Sequence, residues 1–111
     1  MRILLVDDHE DSRELLAIWL EAAGHVVLAA ANLAEARKIM HEAQPLEILL
    51  TDLHLPDGDG TELAREMRRE YPVVKCIAAT GDTRTQHDDF DAVFTKPLDL
   101  ERLKTLLTNP T

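Results

Sequence analysis

The segment LLTDLHLPDGDG, residues 49–60, contains the transition that decides how this chain folds. An apolar run ends at Asp52, a turn containing Pro56 follows, and Asp59 is a residue type that favours a helix N-cap. Glu62, three residues after Asp59, completes a capping-box pattern. The segment therefore predicts a buried strand that passes through a short turn directly into a helix.

The same alternation of apolar runs and helical patterns extends through the whole chain. The apolar runs predict five strands, at residues 3–6, 26–30, 47–51, 73–79 and 92–95. The first helix has an apolar face made of Leu15, Leu16, Trp19, Leu20 and Ala23. Asn32 is placed to cap the second helix and Asp99 to begin the last. Strands that are apolar on both faces and alternate with helices favour an α/β fold, a doubly wound five-stranded parallel sheet of flavodoxin-like order 2-1-3-4-5.

Length and charge limit the possible functions. A length of 111 residues predicts a single domain covering 1–111. The net charge of -9 disfavours binding to nucleic acid or to an anionic membrane surface. Cys76 is the single cysteine and lies in an apolar run, as expected of a buried thiol in a reducing compartment. No apolar stretch reaches membrane-spanning length, and Met1 stands directly before a strand, so we expect a cytoplasmic protein without a signal peptide.

Polar side chains follow the predicted strands at their carboxyl ends. Asp7 and Asp8 follow the first strand, Asp52 the third, Thr80 the fourth and Lys96 the fifth. Carboxyl ends of parallel strands meet at one edge of the sheet, where ligands bind. Three carboxylates brought together there repel one another unless a cation lies between them, and Mg²⁺ with its preference for oxygen ligands suits the set. Each residue alone has an ordinary explanation as a turn or cap residue, and the combination carries the signal.

These motifs together resemble a known family. The matching stretches are LLVDDHEDS (4–12), LLTDLHLPDGDG (49–60), AATGD (78–82) and FTKPLD (94–99). They resemble the receiver, or phosphoacceptor, domain of bacterial two-component response regulators, and the similarity covers the whole chain. The resemblance implies that Asp52 accepts a phosphoryl group from a phosphohistidine of a histidine kinase or a histidine phosphotransfer protein.

The resemblance also assigns roles to the surrounding residues. It implies that Asp7, Asp8 and Asp52, with the backbone carbonyl of His54, hold Mg²⁺. It implies that Thr80 contacts the phosphoryl oxygens and carries the conformational switch. Lys96 would pair with the phosphate, and its peptide bond to Pro97 would be cis.

The sequence departs from the family pattern in two places. Val93 stands where the family commonly has a Tyr or Phe whose rotation reports phosphorylation, and Phe94 is one position late, on the opposite face of its strand. Residues 81–91 are about six fewer than this connection usually has, and Phe90 is their only large apolar residue. We therefore expect a reduced or absent fourth helix, replaced by a loop or a single helical turn anchored by Phe90. We also expect no symmetric dimer through that helix, and a monomer.

Three residues near the expected site are candidates for tuning the lifetime of the phosphoryl group. His54 lies two residues after Asp52 and Asp82 two residues after Thr80, at positions where side chains overhang such a site, and Gly81 lies between Thr80 and Asp82. The alternative is that these are ordinary solvated loop residues. The other histidines have no spacing that indicates a transition-metal site: His9, His25, His41 and His87.

Two alternative functions remain. A Mg²⁺-dependent phosphatase with an Asp nucleophile would resemble D-x-D after the first strand, whereas this chain has adjacent Asp7 and Asp8 and no cap insertion. A receiver-like scaffold that is never phosphorylated has no need for three mutually repelling carboxylates. The sequence leaves open whether the chain acts alone, in a phosphorelay, or as a piece of a longer regulator or hybrid kinase.

Overall fold

A computed structural model describes residues 1–81 and 88–108. In chain order its elements are β1 Arg2–Val6, α1 Glu10–Ala22, β2 Val26–Ala30, α2 Leu33–Glu42, β3 Ile48–Asp52, β4 His54–Leu55, β5 Gly58–Asp59, α3 Gly60–Glu70, β6 Lys75–Thr80, β7 Ala92–Thr95 and α4 Leu100–Thr108. All five predicted strands are present. Their bounds differ from the prediction by at most two residues at either end.

The main sheet has the order β2-β1-β3-β6-β7, and every neighbouring pair is parallel. This is the predicted order 2-1-3-4-5, since β4 and β5 form a separate antiparallel hairpin. The sequence did not predict that hairpin. The register places Asp52 beside Ala79 and Thr80 beside Thr95, so the carboxyl ends of β3, β6 and β7 lie at one level.

Helices cover both faces of the sheet because successive strand residues point to opposite sides. One buried cluster joins the sheet to α2 and α3, and its strand members include Leu4, Val6, Leu49 and Ala78. The other joins the sheet to α1 and α4, and its strand members include Ile3, Leu5, Leu50 and Ile77. The doubly wound arrangement predicted from the sequence is therefore confirmed.

The predicted caps at Asn32 and Asp59 are both present, but they differ in detail. Asn32 Oδ1 accepts a hydrogen bond from the Glu35 N–H at 2.8 Å, and Glu35 Oε1 accepts one from the Ala31 N–H at 3.0 Å. Asp59 also caps its helix, but Oδ1 accepts from the N–H of Thr61 at 2.8 Å instead of from the third helical residue. Both strand-to-helix junctions are thus fixed by side-chain oxygens that pair otherwise unpaired amides.

The apolar face predicted for α1 is partly wrong. Leu20 is fully buried, and Leu16 and Trp19 pack against the core, whereas Leu15 is 69% exposed and Ala23 is also exposed. Adjacent residues lie about 100° apart around a helix, so a stripe centred on Leu16 and Leu20 leaves Leu15 outside it. Ile18 is exposed too, at 65%. The helix therefore presents apolar side chains to solvent.

The connection between β6 and β7 is short. Gly81 is an exposed bend, Asp88 and Asp89 form a turn, and none of the described residues of this connection is helical. Residues 82–87, on which much of the prediction of a loop or single turn falls, lie outside the described residues. Phe90 is 7% exposed and belongs to the core cluster on the α2 and α3 face, so its predicted role as an anchor is confirmed. The four helices in the described parts fit a receiver-like fold with a reduced fourth helix.

The two residues discussed as an aromatic switch lie on opposite faces of β7, as predicted. Val93 packs against the α2 and α3 cluster, while Phe94 is 1% exposed in the α1 and α4 cluster. The Arg102 guanidinium carbon lies 4.6 Å from the centre of the Phe94 ring, a cation–π contact that covers it. Of the described helices, none is long and apolar enough to cross a membrane.

Candidate functional site

The carboxyl edge of the sheet brings together the polar residues singled out from the sequence. Asp7 follows β1, Asp52 ends β3 and Thr80 ends β6; their exposures are 5%, 5% and 2%. Asp8 lies nearer the rim, with its side chain 29% exposed. Buried polar groups at a strand edge have lost their hydration, so each needs a compensating partner.

Lys96 supplies one such partner. Its Nζ lies 2.6 Å from Oδ1 of Asp52, a short ion pair in which the carboxylate is 7% exposed and the ammonium group's side chain 36%. The Lys96 backbone N–H donates to the Thr80 carbonyl at 2.8 Å, which fixes the point from which the side chain reaches back. The Lys96–Pro97 peptide bond is cis, as the resemblance implied.

The electrostatics at Asp52 do not favour a charged carboxylate without a cation. Burial is the main cause that raises the pKa of Asp52 to about 6, the hydrogen bond from Lys96 opposes it, and neighbouring Asp7 raises it further. The single ammonium group therefore does not offset the combined effect of burial and a second acid. A second positive charge at this edge would stabilise both carboxylates.

The backbone around Asp52 is closely packed. Thr51 Oγ1 donates to the Asp52 carbonyl oxygen at 2.9 Å, and the Gly60 N–H donates to the Leu53 carbonyl at 2.8 Å. A Cβ added at Gly60 would lie 2.1 Å from the Asp52 carbonyl oxygen and 3.1 Å from Thr51 Oγ1. The glycine of the turn is therefore required by the close approach of α3 to the strand that carries Asp52.

A cleft of about 160 Å³ opens beside Asp52. It is lined by Asp8, His9, Asp52, Leu53, His54, Ala79, Thr80, Gly81 and Lys96. His54 and Gly81, two of the proposed tuning residues, thus face the same space as the acidic group. The third, Asp82, lies outside the described residues.

The spacing of His9 relative to the other histidines indicates no metal site, but the structure places His9 beside the carboxylates. Its Nδ1 lies 3.3 Å from Oδ1 of Asp8 and 3.6 Å from Oδ1 of Asp7. Asp7, Asp8, His9 and Asp52 can each offer one ligand atom such that all of these atoms lie within 4.8 Å of one another. The sequence feature that could have indicated this location is the position of His9 directly after Asp7 and Asp8, the two acids that follow the first strand.

A larger cavity, of about 560 Å³, adjoins Asp7 and Lys96. It is lined by Asp7, Ser12, Leu15, Leu16, Trp19, Lys96, Pro97, Leu98 and Leu100. Most of these side chains are apolar, and they include Leu15 of α1, which is 69% exposed. An apolar surface therefore runs up to the edge of the acidic site, with Asp7 and Lys96 at their junction.

Comparison with known proteins agrees with this geometry. The family model described as "Response regulator receiver domain" matches residues 3–108. The chain is 37% identical over 112 residues to the response regulator protein PilR of Pseudomonas aeruginosa, with 96% of this chain and 25% of PilR covered. It is 29% identical over 115 residues to the sensor protein TorS of Escherichia coli, with 98% of this chain and 13% of TorS covered. The chain thus spans a quarter or less of the length of these two relatives.

A solved structure resembles the whole chain. The response regulator protein TrrA from Thermotoga maritima, crystallised in complex with Mg²⁺ and BeF, superposes with a TM-score of 0.88 at 28% identity, covering 99% of this chain and 98% of TrrA. Sequence family, sheet order and the acidic edge lead to one assignment. The chain belongs to the response regulator receiver domain family.

Proposed function

We propose that this chain accepts a phosphoryl group onto Asp52 from the phosphohistidine of a sensor kinase or phosphotransfer protein, in a reaction that depends on Mg²⁺. Receivers of this family are signalling domains of two-component systems. The observation that carries the proposal is the ion pair between Asp52 and Lys96, 2.6 Å long, in a cleft that both residues line. A second buried acid, Asp7, interacts with the carboxylate of Asp52. A structural ion pair alone would have no use for the extra acid.

The ligand atoms available at this edge of the sheet fit Mg²⁺. Asp7, Asp8 and Asp52, with the backbone carbonyl of His54, would hold it, because all are oxygen ligands and the two buried acids need a positive charge between them. When bound, Mg²⁺ supplies charge neutralisation for the oxygens of the transferring phosphoryl group. The complex of the related TrrA with Mg²⁺ and BeF supports this assignment.

The remaining residues position and stabilise the phosphoryl group. In the transfer, a carboxylate oxygen of Asp52 forms a bond to phosphorus as the phosphorus–nitrogen bond of the donor breaks, and the imidazole leaves with the bonding electrons. Lys96 follows the oxygens with its ammonium group. Thr80, buried at the end of β6 on the same cleft, donates its hydroxyl to a phosphoryl oxygen and conveys the change to the segment after it.

The apolar groove beside Asp7 supports a protein donor. Leu15 is 69% exposed on α1 and lines the groove, which Lys96 also lines. An exposed apolar patch that borders a reactive group is typical of a surface that docks a partner. A donor protein seated there would present its phosphohistidine to Asp52.

We further propose that the chain functions as a single receiver domain over 1–111, in the cytoplasm and as a monomer. The net charge of -9 supports the absence of nucleic-acid and membrane binding through this chain. Val93 stands in place of an aromatic residue, which supports a signalling mechanism without an aromatic switch. The connection after Thr80 is short, which supports signalling without a symmetric dimer through a fourth helix. His54, Gly81 and Asp82 are proposed to tune the phosphoryl lifetime.

Labelling with a small-molecule phosphodonor tests the proposal. The chain is incubated with acetyl phosphate and Mg²⁺, and intact-mass spectrometry is expected to find one added phosphoryl group. We expect no added group when Mg²⁺ is removed before the incubation, and none in Asp52→Asn. Asp99→Asn, at the start of α4, serves as the matched control and is expected to label normally. Persistent labelling of Asp52→Asn would refute the assignment, turnover without a labelled intermediate would favour the phosphatase, and no labelling would favour the scaffold.

A further inference from the structure

We propose that Arg13 of α1 is a positioning residue, whose guanidinium group holds the peptide between Asp7 and Asp8 so that the two acids are arranged to bind the divalent cation. The inference rests on the cation site put forward under the proposed function and deepens it. The observation behind it is a hydrogen bond of 2.8 Å from Nη1 of Arg13 to the backbone carbonyl of Asp7. Arg13 would touch neither the cation nor the reacting atoms and would act through the two acids.

Asp7 is held by hydrogen bonds from three directions. Its N–H donates to the Ala30 carbonyl of β2 at 3.1 Å, and its Oδ1 accepts from the His9 N–H at 2.9 Å. Its carbonyl accepts from the Arg13 side chain. Because a peptide group is planar, the direction of the Asp7 carbonyl also fixes the N–H of Asp8 and limits where the Asp8 side chain can point. Arg13 therefore sets the direction of the second acid relative to the first.

The junction between β1 and α1 lacks the side-chain cap that fixes other junctions of this fold. Asn32 caps α2 and Asp59 caps α3, whereas His9, the N-cap residue of α1, makes no side-chain capping bond. Arg13 supplies the link instead. Its backbone N–H donates to the His9 carbonyl at 2.9 Å, and its side chain reaches back to Asp7. The loop that carries both acids is thus tied to the first turn of α1 by one residue.

The guanidinium group of Arg13 does not occupy the carboxylates. Among residues 1–81 and 88–108, no carboxylate forms an ion pair with it. An arginine paired with Asp7 or Asp8 would compete with a cation for the same oxygens. An arginine bonded only to the backbone of Asp7 holds the acid in place and leaves both carboxylates available to a cation.

The charge of Arg13 and its hydrogen bond have opposite effects on cation binding. A positive charge beside the site repels a cation, so removal of the charge alone would strengthen Mg²⁺ binding. Loss of the hydrogen bond would let the peptide between Asp7 and Asp8 reorient and would weaken Mg²⁺ binding, because groups that orient metal ligands contribute to affinity. A fall in Mg²⁺ affinity in a folded variant that lacks Arg13 would therefore come from lost positioning.

Titration of the unmutated chain and of Arg13→Met with Mg²⁺ tests the inference. Trp19 is the single tryptophan and lines the cavity that Asp7 also lines, so its fluorescence serves as the signal. For Arg13→Met we expect the Mg²⁺ affinity to fall about tenfold, the lower end for residues that orient metal ligands. Arg13→Lys keeps the charge and a donor and is expected to recover part of the loss. Arg69→Met is the matched control, because it removes the same charge from the exposed last turn of α3, and it is expected to bind Mg²⁺ as the unmutated chain does.

The metal-free chain provides a second measurement. Amide NMR spectra recorded in EDTA are expected to show the Asp8 and His9 resonances displaced in Arg13→Met and unmoved in Arg69→Met. If urea unfolding shows that Arg13→Met does not fold, Arg13→Gln replaces it, with the same expected loss of affinity.

The outcomes separate the inference from the proposed function. A Mg²⁺ affinity in the folded variant equal to or higher than that of the unmutated chain would overturn the positioning role of Arg13. Failure of the unmutated chain to bind Mg²⁺ would instead count against the proposed function. In that case a displaced Asp8 amide would still support the hold of Arg13 on this peptide, and an unmoved one would overturn it.

Discussion

Nζ of Lys96 lies 2.6 Å from Oδ1 of Asp52, and the two partners of this ion pair differ in their access to water. The carboxylate is 7% exposed, whereas the lysine side chain is 36% exposed and belongs to the residue directly after β7. Lys96 therefore loses little solvation energy by moving, while Asp52 depends on the contact. In the proposed phosphotransfer, the ammonium group would leave the carboxylate for a phosphoryl oxygen once Asp52 carries the phosphoryl group.

Lys96→Gln is expected to slow phosphorylation more than it affects folding. The glutamine keeps most of the side-chain length but removes the positive charge that stabilises the phosphoryl oxygens, and the loss of one such group costs about 100-fold in rate in comparable sites. Phosphorylation rates with acetyl phosphate and Mg²⁺ measure the effect. Lys38→Gln on α2 removes a charge away from the cleft and is expected to leave the rate unchanged; equal slowing in both variants would contradict the role of Lys96.

The stability of the metal-free protein should depend on pH through Asp52. Its pKa is raised to about 6 in the folded state from the ordinary aspartate value of 3.8, so the folded state binds more protons than the unfolded state between these values. The contribution is fully present below the lower value and is lost as the pH rises through about 6. From pH 5 to pH 7 the free energy of unfolding should therefore fall by roughly 1 kcal/mol on account of this group.

Urea unfolding in the presence of EDTA, at pH 5 and at pH 7, measures this dependence. Asp52→Asn is expected to remove it, so that the variant is more stable than the unmutated chain at pH 7 by a larger margin than at pH 5. Identical pH dependences in the two proteins would contradict the assignment of a high pKa to Asp52.

Much of the fold could be predicted because the strands are apolar on both faces. The register of Thr80 with Thr95, and of Asp52 with Ala79, follows once the strand order is known, and it brings the predicted site residues to one edge. The exposure of Leu15 could not be predicted, because an amphipathic pattern gives the direction of the buried stripe only to within about one residue. Which side chains of a helix are buried depends on how the helix packs against parts of the chain that are distant in sequence.

The sequence also does not predict that Asp57 caps α2, because the contact joins two distant parts of the chain. The sequence indicates only a turn residue after Pro56, whereas the structure brings its carboxylate to the N-terminus of α2. There it accepts hydrogen bonds from the N–H groups of Leu33 at 2.8 Å and Ala34 at 3.1 Å, which lower the pKa of Asp57. A contact across 24 residues has no local signal in the sequence.

Asp57→Ala is expected to lower the melting temperature by a few degrees, since it leaves two helix N-terminal amides without their acceptor. Asp57→Asn retains one acceptor oxygen and should recover part of the loss. Thermal unfolding followed by circular dichroism distinguishes the variants. Equal melting temperatures for Asp57→Ala and the unmutated chain would indicate that water replaces the carboxylate at no cost.

Gly60→Ala is expected to destabilise the fold by about 1–3 kcal/mol, the range for forcing extra atoms into a packed site. The added Cβ would lie 2.1 Å from the Asp52 carbonyl oxygen, so either the start of α3 or the end of β3 must shift. Gly81→Ala is the matched control for unfolding, because among residues 1–81 and 88–108 no heavy atom lies within 4 Å of a Cβ added there. Equal unfolding free energies for the two variants would contradict the close approach of α3 to β3.

Phe90→Ala tests how the short connection before β7 is held. Phe90 is 7% exposed in the core of the α2 and α3 face, and truncation of a buried phenylalanine costs about 3–5 kcal/mol. Urea unfolding is expected to give a loss of that size. Val73→Ala, at a position 90% exposed, removes apolar atoms without leaving a cavity and is expected to change the stability little.

The same connection is also tied to α3 by polar contacts. Arg68 Nε donates to the Asp89 carbonyl at 2.7 Å and its Nη2 to Asp91 Oδ1 at 3.3 Å, while the other oxygen of Asp91 accepts from the Cys76 N–H at 2.8 Å. If these contacts and Phe90 act together, Arg68→Ala and Phe90→Ala should destabilise by less in combination than the sum of their separate effects. Strict additivity would mean that the aromatic anchor holds the segment independently of α3. Sub-additive loss would mean that one cooperative unit does the packing that a longer fourth helix would otherwise do.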